Sequence, residues 1–235
     1  MIEEQYLERA EQIPRRDHRL GRHIVHDQRS RSFALGATID RSTWETKRVR
    51  VYDPSPNPNQ CHGECTCCAQ CMLFNTKGNR KKGVVLNMDT AHKLYSLATQ
   101  LDPFPGSWTA PTWEDTGSSG LAAATASQTY RLGGTYRWLF GGADEVVQAI
   151  MNGRTVSIGT RWYDNMFYPN DHGMIEPTGT LAGGHQYLGR GYYEPWDAVE
   201  IRCWWNGYRD VYIKRQHLND LIMDGGDVHT QDVAL

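Results

Sequence analysis

Asn59-Gln-Cys-His-Gly-Glu-Cys-Thr-Cys-Cys-Ala-Gln-Cys-Met-Leu-Phe74 is the stretch on which the fold turns. Before it lies Asp53-Pro-Ser-Pro-Asn-Pro, an extended connector, because each Pro disfavours helix for its predecessor. After Gly63 an apolar, helix-like pattern begins at Cys65 or Thr66. A cysteine at a helix start feels the positive end of the helix dipole, which favours an exposed, nucleophilic thiolate. Five of the 6 cysteines (Cys61, Cys65, Cys67, Cys68, Cys71) crowd into this stretch, and Cys203 stands far away. A disulfide framework would spread its cysteines along the chain. Free thiols are therefore expected, either for metal or for chemistry.

A thiolate nucleophile needs a His as proton shuttle, brought in from elsewhere in the chain. The best candidate is His185, in Ala182-Gly-Gly-His-Gln-Tyr-Leu-Gly-Arg-Gly-Tyr192. Gly183 and Gly184 permit close backbone approach, and His185 then opens a strand, a rigid holder for an imidazole. A His beside glycines is more often structural, but the thiol at a predicted helix start raises its standing.

Around these two points the pattern predicts helices first and strands second. Asp89 can cap a helix with Leu94, Leu97, Ala98 and Leu101 on its apolar face. Ser118 or Ser119 can cap another that runs to Gly133, and 143–152 (ADEVVQAIMN) reads as a third, ended by Gly153. Residues 47–52 (KRVRVY) alternate as a strand. Short β-branched or aromatic runs at 155–163, 185–193, 199–205 and 210–214 read as strands, with a short helix at 217–223. The class is α+β, with a cleft where the halves meet. The expected units are 1–52 (arm and crossing strand), 53–153 (helical half with the nucleophile) and 154–235 (β-rich half with the His). The arm interleaves Arg15, Arg16, Arg19, Arg22, Arg29 and Arg31 with His18, His23 and His26, and such charge runs ordinarily face water.

Composition excludes several classes. With 25 Lys+Arg against 27 Asp+Glu, the net charge of -2 argues against a protein devoted to nucleic acid. The mean hydropathy is -0.63, and no apolar run approaches the ~20 residues of a membrane span. The opening MIEEQYLERAEQ is acidic and polar, unlike a secretory signal, so a cytoplasmic location is expected.

Several stretches, in chain order, resemble the papain-like cysteine peptidases in the variety found in bacteria and their phages. Gln60-Cys-His-Gly-Glu-Cys65-Thr resembles the nucleophile motif, and Asp115-Thr-Gly-Ser-Ser-Gly the glycine loop lining the non-primed substrate cleft. Val156-Ser-Ile-Gly-Thr resembles the first strand of the β half. Gly183-Gly-His185 is similar to the catalytic His strand, and Val199-Glu-Ile-Arg-Cys-Trp-Trp205 to the strand with the third catalytic residue and its shielding Trp. The likeness runs from about Asp53 to Met223. It implies a papain-like fold, a helical half and a β-barrel-like half, and cleavage of peptide or related amide bonds through an acyl-enzyme. It further implies Cys65 as nucleophile, His185 as base, and Gln60 with the Cys65 backbone N–H as oxyanion donors. Asn59 is a competitor for the Gln60 role, because the Gln-to-Cys spacing is one residue short. Gly117, Ser118 and Gly184 would bind a substrate strand, and Trp205 would cover the His. Where the family has an Asn to orient the His, this chain has Cys203, with Asn206 three residues on. Thiol sulfur is a weak acceptor, so reduced activity is expected unless another group orients His185.

No cofactor and no metal are expected in this reading, and the partner is a peptide or protein substrate. One alternative is a catalytically idle papain-like fold serving phage assembly, with virion or assembly partners and a place in the host cytoplasm or the virion. Another is a zinc-stabilised module in which Cys61-x3-Cys65 and Cys68-x2-Cys71 supply four thiolates.

Overall fold

Ten consecutive residues without a polar face must be enclosed on every side. Helix α1 (Cys65–Phe74) is such a segment, and each of its residues is buried. The computed structural model describes residues 20–51, 60–76, 86–205 and 210–234. Two helices close one side of α1. Helix α2 (Met88–Leu101) turns Ala91, Leu94, Tyr95 and Ala98 inward, at the i, i+3, i+4, i+7 spacing of a one-sided helix. Its cap is Asn87, whose side-chain oxygen accepts the Thr90 N–H at 3.2 Å. Asp89, the expected cap, lies instead in the first turn, where its charge still suits the dipole. Helix α3 (Gly120–Thr129) is capped by Ser119, which accepts from Ala122 N–H at 3.1 Å. It ends short of Gly133, and its alanine run allows close helix packing.

The strands are β1 (Arg22–His23), β2 (Lys47–Arg48), β3 (Ser118–Ser119), β4 (Gly133–Trp138), β5 (Val156–Tyr163), β6 (Met174–Ile175), β7 (Leu181–Tyr193), β8 (Ala198–Arg202), β9 (Val211–Lys214) and β10 (Asp227–Val233). The large sheet runs β4-β10-β5-β7-β8-β9-β6, with β2 also on β7. It is an open path rather than a closed barrel. Every pair is antiparallel except β6 with β9. Helices α4 (Gly142–Met151) and α5 (Arg215–Met223) share a core with this sheet, built from Val146, Ile150, Ile158, Trp162, Val199, Ile213 and Leu218. The second core gathers α1, α2 and α3 and takes Leu188 and Trp204 from the sheet side. The class is α+β, as the sequence indicates.

The strand expected over 47–52 is confined to Lys47–Arg48, with Val51 forming an isolated bridge to Thr76. Strands β4 and β10 have no counterpart in the sequence reading. The composition of β10, Asp-Val-His-Thr-Gln-Asp-Val, lacks the usual apolar alternation, yet Asp227 through Gln231 are buried. Their polar atoms are spent across the seam between helices and sheet. The Gln70 amide donates to the Gln231 side-chain oxygen, Ser127 Oγ donates to the same oxygen at 3.0 Å, and His229 Nε2 meets Gln70 Oε1 at 3.0 Å. These bonds tie α1 and α3 to β10.

Candidate active site

Cys65 is the first residue of α1, and its helix abuts β7, which carries His185. The geometry of His185 follows from strand register. Leu188 pairs with Arg202, so continuing the antiparallel ladder sets residue 205 opposite His185. Trp205 indeed stacks on the imidazole, with ring centroids 4.2 Å apart and planes 16° from parallel. Trp162 closes the other approach edge-on, at 5.0 Å and 75°. The same register sets Cys203 on the Tyr187 side of this face, buried in the sheet core. Asn206 and Asn59 lie outside the described residues.

The loop before Cys65 is braced by charge and by hydrogen bonds. Asp115 Oδ1 accepts from the Gly63 N–H and from the Tyr95 hydroxyl, both at 2.8 Å. The Tyr95 oxygen in turn accepts the Gly117 N–H at 2.8 Å. One carboxylate thus fixes the loop before Cys65 to the glycine loop. Gln60 is buried, and its amide donates to the His62 carbonyl at 2.8 Å, within its own loop. Glu64 accepts the Cys61 N–H at 3.2 Å and forms a buried ion pair with His92 Nε2 at 3.0 Å. Burial opposes both charges, but each partner outweighs it. His92 is raised to about 10 by Glu64, and Glu64 is lowered by His92.

Among the described residues, the ligand atoms of Cys61, His62 and His92 lie within 4.8 Å of one another. This is not the four-thiolate set of Cys61, Cys65, Cys68 and Cys71. The His92 Nε2 atom faces the Glu64 carboxylate.

Sequence reasoning missed the largest feature of the site, which is that the cleft already holds a strand. The arm enters it at residues 20–23, with β1 beside β3 in parallel, Arg22 opposite Ser118 and His23 opposite Ser119. Gly21 donates its N–H to the Gly184 carbonyl at 3.2 Å and accepts the Ser118 N–H at 2.7 Å. The positions expected to bind a substrate backbone therefore bind the chain's own backbone. The fit requires glycines. A Cβ on Gly21 would lie 2.1 Å from the Gly63 oxygen, one on Gly117 2.3 Å from the Gly21 oxygen, and one on Gly184 2.4 Å from the Arg22 oxygen. Arg22 is buried, against the expectation of a solvated arm, because Asp227 on distant β10 receives its guanidinium. His23 adds a stack on Phe104 at 4.2 Å and a bond to the Thr116 carbonyl.

This occupancy reverses the expected state of Cys65. Burial pushes the Cys65 thiol up to about 12, although the Gln186 and Gly21 backbone amides favour thiolate. The helix start alone does not expose a thiolate here, because Gly21 covers it. Cys67, Cys68, Cys71 and Cys203 are likewise buried and raised, and Cys61 alone among the six is partly exposed.

An apolar helix bearing the Cys, a facing antiparallel-rich sheet bearing the His and a glycine-walled cleft between them make a papain-like fold. Comparison with solved structures bears this out. The chain is similar to xylellain, a cysteine protease from Xylella fastidiosa, with TM-score 0.68 and 16% identity over 94% of this chain and 98% of that one. It also resembles a procathepsin B from Trypanosoma congolense (TM-score 0.58, 11% identity, 91% and 86% covered). A third likeness is a cysteine protease from Carica candamarcensis (TM-score 0.52, 14% identity, 76% and 92% covered). No family model and no curated sequence matches the chain. Among the described residues, no helix is long and apolar enough to cross a membrane.

Two outcomes follow from this geometry. A limiting thiol alkylator at neutral pH labels Cys61 ahead of Cys65, with peptide mapping giving the order. Labelling of Cys65 first would show that residues 20–23 leave its thiol open. The second concerns pH. His92 rises from 6.5 to about 10 on folding, so its stabilisation is full below about 6.5 and is lost as pH climbs through about 10. Glu64 is lowered from 4.5, so its share is present above that value and is lost as pH falls through the lowered one. His92→Leu should remove the alkaline decline of the melting temperature and cost about 3–5 kcal/mol, because Glu64 stays buried without its cation. Melting curves identical in slope from pH 7 to 10 for both chains would disprove the pairing.

Proposed function

We infer that the chain is a thiol peptidase acting through Cys65 and His185. The observation that carries this reading is the strand 20–23. It lies in the cleft by backbone hydrogen bonds to Gly184 and Ser118, with Gly21 over the Cys65 sulfur. A cleft that seats extended backbone beside a helix-start cysteine and a clamped imidazole is fitted to a peptide.

In the working cycle His185 takes the Cys65 proton, and the thiolate attacks the scissile carbonyl carbon. The oxyanion forms beside the Cys65 backbone N–H, with the Gln60 amide as second donor once it turns from the His62 carbonyl. Collapse breaks the C–N bond, and His185 protonates the departing amine. Water then cleaves the thioester, with His185 as base, and releases the acid. Gly117, Ser118 and Gly184 align the substrate strand. Trp205 keeps solvent from the imidazole.

The position of Cys203 supports slow turnover. A thiol holds the imidazole tautomer poorly, and the Trp205 stack and the Trp162 edge contribute to its orientation. The filled cleft favours a second reading, in which the fold is an idle scaffold with assembly partners. Hydrolysis separates the two. Cys65→Ala should abolish cleavage of a peptide substrate with melting temperature unchanged. Cys203→Asn should raise kcat roughly tenfold, a fraction of the 10²–10⁴ typical of general-base positioning. Lost turnover in Asn206→Ala together with no gain in Cys203→Asn would make Asn206 the orienting residue. Absence of turnover in every folded variant would establish the scaffold.

A further inference from the structure

Arg22 does more than anchor the arm. Its side chain is fully buried and enters a pocket next to the Cys65–His185 pair, reached from the cleft. Gln186, the residue after His185, forms one wall. Gly120, the first residue of α3, and Gly159, on β5, form the others. Their missing side chains make the room. A Cβ on Gly159 would lie 2.6 Å from Arg22 Nε and 2.3 Å from Gln186 Oε1, and one on Gly120 would lie 2.5 Å from Asp227 Oδ2. The floor is Asp227, the first residue of β10.

The pocket is all acceptor. Asp227 Oδ1 receives Arg22 Nε at 2.8 Å and also Arg22 Nη2, and the Gly225 carbonyl receives Nη2 at 2.9 Å. Two guanidinium nitrogens thus share a single carboxylate oxygen. Asp227 Oδ2, Gln186 Oε1 and Arg22 Nη1 are buried without a hydrogen-bond partner among the described residues. The arm's guanidinium therefore fills the pocket but leaves its second carboxylate oxygen unused. A structural ion pair has no call for spare acceptors, whereas a guest meeting both oxygens in the usual fork would use them.

We propose that this pocket is the specificity site for an arginine side chain of the peptide substrate, and that Arg22 occupies it as a resident mimic. The proposal rests on the peptidase reading above. The selected residue is the neighbour of the one over Cys65: Arg22 follows Gly21 in an arm that pairs in parallel with β3, so a substrate strand paired antiparallel at the same place offers that neighbour from the other side, one residue before the one over Cys65. Arginine outranks lysine there, because a fork of donors matches a carboxylate edge and an ammonium does not. An apolar guest would leave a buried carboxylate without a cation, which is why discrimination is large. The acceptor-lined floor excludes acidic side chains outright.

The test uses the full chain and acyl-dipeptide coumarin amides with Arg, Lys, Leu or Glu one residue before the residue whose carbonyl is attacked. Arg is expected to exceed Leu by at least about tenfold in kcat/KM, with Lys between them and Glu uncleaved. In Asp227→Asn the Arg-to-Leu ratio should fall to near one. In Arg22→Gln, which frees the pocket, kcat/KM for the Arg substrate should rise severalfold. Cleavage with Leu at or above Arg in the unaltered chain overturns the pocket while leaving the peptidase intact. If neither the unaltered chain nor Arg22→Gln cleaves any of the four, the peptidase reading fails and calorimetry decides the pocket. Binding of N-acetyl-arginine amide, but not N-acetyl-leucine amide, to Arg22→Gln upholds it when Arg22→Gln/Asp227→Asn abolishes that binding. No arginine binding by folded Arg22→Gln overturns it.

Discussion

The molecule is organised by the need to bury α1 on every side. A helix with a wet face would lie on a surface and leave its first residue in open water. This one has no such face, so α2 and α3 close on it from one direction and the sheet from the other. Its N-terminus is then forced to the seam between the two cores, and the seam is where a groove forms. Cys65 owes its place in the cleft to the burial of the nine residues that follow it in the helix, of which all but Thr66 and Gln70 are apolar. Burying helix and sheet edges also traps polar atoms. Gln70, Gln231 and His229 satisfy one another across the seam, and burial keeps His229 neutral by lowering it to about 4. Hydrogen-bond networks of this kind hold two cores in one register.

Much of this was legible in the chain. The glycine before Cys65, the helix pattern after it and the Gly-Gly-His strand are local signals, and each element formed close to its expected place. The Trp205 stack on His185 was implied by likeness alone, and the register of β7 and β8 supplies its cause. The arm was not legible. A run of arginines reads as solvated unless a buried carboxylate awaits one of them, and Asp227 stands 205 residues from Arg22 in the chain. Strand β10 was missed for the related reason that its buried side chains are polar and carry no apolar alternation. The state of Cys65 was misjudged because a helix dipole is a local property and enclosure is not. The dipole favours thiolate modestly, and loss of water disfavours it by more.

Three devices converge on the same few backbone atoms. Asp115 and Tyr95 fix the loop before Cys65 to the glycine loop, Glu64 and His92 stiffen the residues between Cys61 and Cys65, and the tryptophans pack on the His185 imidazole.

The strand in the cleft is tethered. A little further on the chain is pinned by the Phe33 ring against Tyr136 and by Leu35, whose N–H bonds the Trp138 carbonyl at 2.7 Å, so Gly21 and Arg22 hang on a short leash. A segment so held presents itself at an effective concentration on the order of millimolar, regardless of how dilute the protein is. Its contacts can then be few and individually imperfect, as the half-used Asp227 carboxylate shows, and still keep the groove filled. A free peptide making the same contacts competes on even terms only near that concentration. Dilution therefore leaves the tethered strand unaffected while weakening every rival, and access to the groove becomes a measure of how abundant, or how much better fitted, the incoming chain is.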